Sequence, residues 1–220
     1  MYFHREGHRI IIIATALVVA ICVAMIVTTH TWTWVHYLLV ALLAVLELFV
    51  VRFFRIPKRI FNENDQQLIA PADGTIVTIE ETYEREYLKE ECIQLSIFMS
   101  INDVHVNRYP CDGVVEYVNH SHGNYFVASH PKASELNERT SIGLRLPNGS
   151  RILIRQVAGA VARRIACYAV EGQHVKQNQE LGFIRFGSRV DIFMPKSFEV
   201  GVDLEEHVSN AITPIATIQQ

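Results

Sequence analysis

Glu180-Leu-Gly-Phe-Ile-Arg-Phe-Gly-Ser-Arg-Val-Asp-Ile-Phe-Met-Pro195 is the stretch on which the reading of this chain turns. Two runs within it alternate like strands, Phe183 to Phe186 and Arg189 to Met194, and Gly187-Ser188 divides them. One reading of that pair is a bulge, because glycine supplies backbone angles that other residues resist. The other is a self-cleaving bond. The Ser188 hydroxyl would attack the Gly187 carbonyl and convert the peptide to an ester. β-Elimination would break that ester and leave dehydroalanine, which loses ammonia to become an N-terminal pyruvoyl group. Glycine has no Cβ to obstruct the attack. The pair alone does not choose between the two.

Outward from this stretch the chain reads as β-rich. Pro71-Ala-Asp-Gly74 is a turn leading into a strand over Thr75 to Glu80, and Ile93, Leu95, Ile97 and Met99 alternate along one face. Val114 to Val118 is a short strand. Ile142, Leu144 and Leu146 alternate up to Pro147-Asn-Gly149, after which Ile152, Ile154 and Val157 resume, the pattern of a hairpin. No long amphipathic helix, internal repeat or low-complexity segment interrupts this. The expected fold is mainly β, a compact sandwich or barrel with few short helices.

The N-terminal part differs in kind. Ile10 to Val27 is an uncharged apolar run of 18 residues, about 27 Å as a helix against a hydrocarbon core of about 30 Å. Val35 to Val51 is a second run whose one charge, Glu47, sits near an end and is expected to snorkel. Trp32, Trp34 and Tyr37 supply interfacial rings between them. Arg5 and Arg9 precede the first run, and Arg52, Arg55, Lys58 and Arg59 follow the second, so both ends should face the cytoplasm. The first run has no small-residue cleavage site and a second follows directly, which argues against a signal peptide. Residues 1–60 are therefore expected to be a two-helix transmembrane hairpin, with helices over about 10–27 and 35–51, and residues 61–220 a cytoplasmic domain.

Composition narrows the functional classes. A net charge of -3 and no basic stripe with interleaved aromatics exclude a nucleic-acid binder. Cys22, Cys92, Cys111 and Cys167 show neither a CxxC pair nor zinc spacing, consistent with a reduced compartment. His120 and His122 could share a strand face, but no carboxylate or cysteine completes a ligand set at a familiar spacing, so no metal site is expected. Asp73 in its turn is read either as turn chemistry or as a site carboxylate. His105 and Arg108 stand among apolar neighbours, where a base and an anion ligand could sit, or where a structural histidine could.

Taken in order, these motifs resemble a known family. Pro-Ala-Asp-Gly at 71–74, Asp-Val-His-Val-Asn-Arg-Tyr-Pro-Cys-Asp-Gly at 103–113, Asn-Glu-Arg at 137–139, and Gly-x-x-Val-x-x-x-x-x-Leu-Gly-x-Ile-x-Phe-Gly-Ser-Arg-Val at 172–190 together look like phosphatidylserine decarboxylase, in the short membrane-associated form of bacteria and archaea. The resemblance implies cleavage between Gly187 and Ser188. It implies a heterodimer of fragments 1–187 and 188–220, open to higher assembly, with a covalent pyruvoyl cofactor derived from Ser188. It also implies a core related to biotinyl- and lipoyl-type barrels, which suits Glu171 to Gly182. The substrate would be phosphatidylserine in the cell membrane, decarboxylated through a Schiff base to phosphatidylethanolamine and CO2. His105 would protonate the α-carbon, and Arg108, Arg163 and Arg164 are candidates for the phosphodiester.

Asp73 and Ser188 match the family's self-processing aspartate and serine, but the second histidine of its His-x-x-His pattern is Arg108 here. Either His105 serves both steps or another histidine, such as His130, replaces the missing one. Two rivals remain. A membrane-anchored biotin- or lipoyl-type carrier would display a lysine at a hairpin tip, and neither Lys176 nor Lys196 has the usual setting. The same enzyme class acting on a serine-bearing ether lipid would use identical head-group chemistry.

Overall fold

The computed structural model describes residues 1–29, 31–123, 136–159, 165–185 and 187–219. The chain forms two compact units, Met1–Lys58 and Arg59–Gln220. In the first, helices α1 (Arg5–Thr28) and α2 (Trp34–Phe53) run from a two-stranded ribbon of β1 (Tyr2–Phe3) and β2 (Arg55–Ile56). Each helix extends a few residues beyond its apolar run, because polar groups cap it: His4 Nδ1 accepts from the Glu6 amide, and Thr33 and His36 form a capping box. Both are long and apolar enough to cross a membrane. Glu47 departs from the snorkelling expectation. Its carboxylate accepts a 2.5 Å hydrogen bond from Thr15 on the other helix, so it joins the two helices.

The second unit opens with β3 (Gln67–Ile69), β4 (Gly74–Glu84), β5 (Glu90–Met99) and β6 (Val106–Arg108). There follow β7 (Gly113–Ser121), β8 (Arg139–Arg145), β9 (Arg151–Val157), β10 (Ile165–Cys167), β11 (His174–Val175) and β12 (Glu180–Ile184). The C-terminal part supplies β13 (Ser188–Pro195), β14 (Glu199–Val200), β15 (His207–Val208) and β16 (Pro214–Thr217). Eight of these strands form one curled antiparallel sheet, a half-barrel in the order β11-β7-β8-β9-β13-β5-β4-β15. Two three-stranded sheets, β10-β12-β6 and β14-β16-β3, complete the unit.

Strand alternation fills the core. Leu95, Ile97 and Met99 of β5, Val190, Ile192 and Met194 of β13, and Ile152 and Ile154 of β9 belong to a single buried cluster. Burying such side chains stabilises by about 1.5–3 kcal/mol each. The polar residues of β13 do not reach water, however. Arg189 and Asp191 are as buried as their apolar neighbours, and Arg189 Nε lies 2.8 Å from Asp191 Oδ1. The strand is central, and both of its faces are covered. Its polar face therefore had to be paired internally.

Candidate active site

Ser188 is the first residue of this central strand. It pairs with Met99 at the end of β5, and Arg189 pairs with Phe98 on one side and Val157 on the other. By alternation Ser188 shares the core-facing side of Val190 and Ile192. It is fully buried, and its Oγ makes no hydrogen bond among the described residues. Gly187, just before it, has φ +61°, in the left-handed region. Among the described residues, a Cβ built there meets nothing within 4 Å beyond its chain neighbours. Glycine is thus favoured by backbone conformation rather than by lack of space among those residues.

His105 enters the same corner from two directions. The connection from Met99, the partner of Ser188, runs through Ser100–Val104 to His105. The His105 carbonyl also accepts from the Ile184 amide at 3.4 Å, at the end of the strand that leads into Gly187-Ser188. The ring is fully buried and lies 6.3 Å from that of Phe183. Its Nδ1 is 2.9 Å from the Asp103 carbonyl oxygen. A carbonyl can only accept, so Nδ1 carries a proton, and Nε2 is the nitrogen on which the ring can act as a base. Asp103 is itself held, accepting from the Ser100 amide at 2.8 Å through Oδ2, with Oδ1 3.4 Å from His207 Nε2.

Asp73 approaches from the far side of β5. Gly74 has φ +152°, and a Cβ there would stand 2.2 Å from the Phe98 carbonyl oxygen, so only glycine lets the turn press against β5. The Asp73 carboxylate does not turn to a histidine. Arg59 grips it with two nitrogens at 2.5 and 2.6 Å, and the Asn210 amide donates to Oδ1 at 2.8 Å. Asn210 Nδ2 in turn donates to the Val106 carbonyl, one residue from His105. The sequence reading counted Arg59 among the flanking charges of the anchor; it is spent on Asp73.

Arg108, the residue at the family's second histidine position, is buried. It donates to the Asn178 carbonyl at 2.7 Å, and its guanidinium sits 4.8 Å from the centre of the Phe61 ring. Those contacts tie β6 to neighbouring loops. Arg163, Arg164 and His130 lie outside the described residues, as does Phe186. Among the described residues no three potential metal ligands gather; His120 and His122 stack edge to face at 5.0 Å, with Glu138 3.6 Å from His120.

Sequence reasoning missed several residues of this corner. Asn107 Nδ2 lies 3.6 Å from Met99 Sδ and its Oδ1 accepts from Gln156 Nε2 at 2.8 Å, all buried. A signal existed for Gln156, a polar residue at the core-facing position after Ile152 and Ile154. None existed for Arg59, Asn210 or His207, which reach the corner only through the fold. Burial raises the Cys111 thiol well above its ordinary range and the Tyr109 hydroxyl likewise.

Comparison with known proteins gives the class, a decarboxylase. The model of the family described as Phosphatidylserine decarboxylase matches residues 46–215. A phosphatidylserine decarboxylase proenzyme of Amoebophilus asiaticus is 44% identical over 215 residues, covering 98% of this chain and 96% of the relative. Proenzymes of the same name from Porphyromonas gingivalis and Parabacteroides distasonis are 41% identical over 222 residues and 40% over 221, each covering 100% of both chains. The chain belongs to the phosphatidylserine decarboxylase family.

Proposed function

We propose that this protein converts phosphatidylserine to phosphatidylethanolamine and CO2, after cutting its own chain between Gly187 and Ser188. The observation that carries the reading is Ser188 itself: a buried hydroxyl behind a left-handed glycine, at the start of a strand held on both sides. A buried polar group without a partner is costly and calls for a purpose. Attack by Oγ on the Gly187 carbonyl, with the Ser188 amide nitrogen as leaving group, gives that hydroxyl one. His105, whose Nδ1 is held at the Asp103 carbonyl so that Nε2 is its basic nitrogen, is proposed as the base that takes the Oγ proton.

In the second stage a base removes the Ser188 α-proton, the Cβ–O bond breaks, and Gly187 leaves as a carboxylate. Water then displaces ammonia from the dehydroalanine, leaving a pyruvoyl group on Arg189. That carbonyl supplies the electron sink that loss of CO2 from an α-amino acid requires. His105 is the group proposed to return a proton to the α-carbon. Fragments 1–187 and 188–220 stay together as one enzyme. The apolar helices are proposed to cross the cell membrane with both ends on the cytoplasmic face, holding the β unit where a diacyl lipid resides.

Ser188→Ala in the full chain tests the reading. The expected result is a single uncleaved chain by intact mass and no release of CO2 from serine-labelled phosphatidylserine. Cleavage at 187/188 with retained activity in that variant would remove Ser188 from both steps.

A further inference from the structure

We infer that Arg59 is a positioning residue for self-cleavage: with Asn210 it clamps the Asp73 carboxylate, and so holds the 71–74 turn against the strand end that Ser188 pairs with. The inference rests on the reading of Gly187-Ser188 as the cleaved bond.

Every hydrogen bond of the Arg59 guanidinium goes to this clamp. Nη1 and Nη2 take the two oxygens of Asp73, and Nη1 also reaches the Asn210 carbonyl at 3.1 Å and Oδ1 at 3.0 Å. Both charged side chains are largely withdrawn from water, Arg59 at 16% and Asp73 at 8% exposure. A two-pronged guanidinium–carboxylate pair fixes direction as well as distance, which an ammonium cannot do. Asn210 carries the restraint onward, through its amide to Asp73 and its Nδ2 to the Val106 carbonyl beside His105. The Asp73–Gly74 turn is meanwhile in contact with Phe98, the residue before Met99. One clamp therefore sets the spacing of the turn, of β6 with His105, and of the end of β5 opposite Ser188.

Two features make this a property of the site rather than of general stability. First, Asp73 is answered by an arginine, not by a histidine, and the arginine at position 108 is occupied by Asn178 and Phe61. Arg59 is thus the cation that sets the orientation of Asp73. Second, Arg59 and Asp73 belong to fragment 1–187 and Asn210 to fragment 188–220, so the clamp spans both products of the cut and persists after it.

The test uses the full chain made in a cell-free system with phospholipid vesicles, following conversion of precursor to fragments by gel and intact mass. A displacement of about 1 Å in a reacting site costs on the order of 100-fold. Arg59→Ala should accordingly slow cleavage by roughly 10- to 100-fold, with partial recovery on adding guanidinium ion and intermediate behaviour for Arg59→Lys. In an Asp73→Asn background the same Arg59→Ala change should add less than about two-fold, because no charge remains to be clamped. Cleavage of Arg59→Ala at the wild-type rate would overturn the inference. So would a double variant slowed by the full product of the single effects. If Arg59→Ala fails to fold, Arg59→Lys decides: an unchanged melting temperature with slowed cleavage supports the clamp, and unslowed cleavage overturns it. Ser188→Ala run alongside separates the two claims. Should it remain whole while Arg59→Ala cleaves normally, only the clamp falls; should Ser188→Ala also cleave, the reading beneath it falls.

Discussion

Substituting Gly187 separates conformation from space as the reason for a glycine at the proposed cut. At φ +61° an L-residue with a Cβ pays about 1–2 kcal/mol. Among the described residues a Cβ there meets nothing within 4 Å beyond its chain neighbours, so no clash with them adds to that figure. A substituted loop that relaxes out of this conformation must return to it for the attack, which raises the barrier by that amount and lowers the rate roughly 5- to 30-fold. Gly187→Ala is therefore expected to fold and to cleave roughly 5- to 30-fold more slowly than the wild type. Asparagine tolerates the left-handed region better and valine worse, so cleavage should fall in the order Gly, Asn, Ala, Val. The assay is pulse-labelled cell-free synthesis with vesicles, with precursor half-lives read from gels and the junction checked by mass. Two results would refute the reasoning: Ala cleaving within about two-fold of wild type, or Val cleaving no more slowly than Asn. The first would mean that the loop relaxes at no cost, and the second that bulk, not φ, sets the rate.

Two further predictions concern the fold around the site. Burial pushes the Cys92 thiol up to about 11 and Cys111 higher still, so neither should react with a maleimide at neutral pH in the native chain, and both should react in denaturant; native labelling at the rate of a free thiol would contradict their placement. Burial tends to raise the Glu86 carboxyl, but a hydrogen bond from Ser141 and the charges of Arg155 and Arg139 outweigh it and hold the pKa below the ordinary glutamate value. A depressed carboxylate contributes stability that is present above the unfolded pKa of about 4.3 and is lost as pH falls through the lower folded value. The melting temperature should therefore drop less between neutral pH and pH about 3 in Glu86→Gln than in wild type, and an identical drop would count against that network.

Much of this architecture was legible because period and burial agree where one face meets a core. The alternation of Ile93 to Met99 and the Pro147-Asn-Gly149 turn located β5 and the β8–β9 hairpin with only their ends misplaced. The apolar runs located both helices, and capping groups outside those runs carried them further. Arg189 and Asp191 show the limit of alternation: charged residues at alternate positions do not announce burial, yet a central strand covered on both sides pairs them with each other. At the site, the Gly-Ser pair, His105 and Asp73 announced themselves by residue type and local motif. Arg59, Asn210 and His207 did not, because their roles come from contacts between segments up to 151 residues apart, which no local pattern encodes.

The topology also explains how the chain would survive the proposed cut between Gly187 and Ser188, at the start of a central strand of its main sheet. Strand β13 begins at Ser188 and pairs along its length with β5 on one side and over Arg189–Phe193 with β9 on the other, both from the first 187 residues. Downstream, β15 pairs with β4 and β16 with β3, so fragment 188–220 is threaded through the larger one at three separate places. Val190, Ile192, Met194, Val208 and Ile215 are all in the common core. Breaking one peptide bond removes none of these ladders and exposes none of this surface. What it frees is the 187 end, a left-handed glycine in open space. The new terminus at 188 stays pinned by its register against Met99 and by the buried Arg189–Asp191 pair that follows it. Conformational freedom thus lies on the Gly187 side of the proposed cut, and rigidity on the Ser188 side.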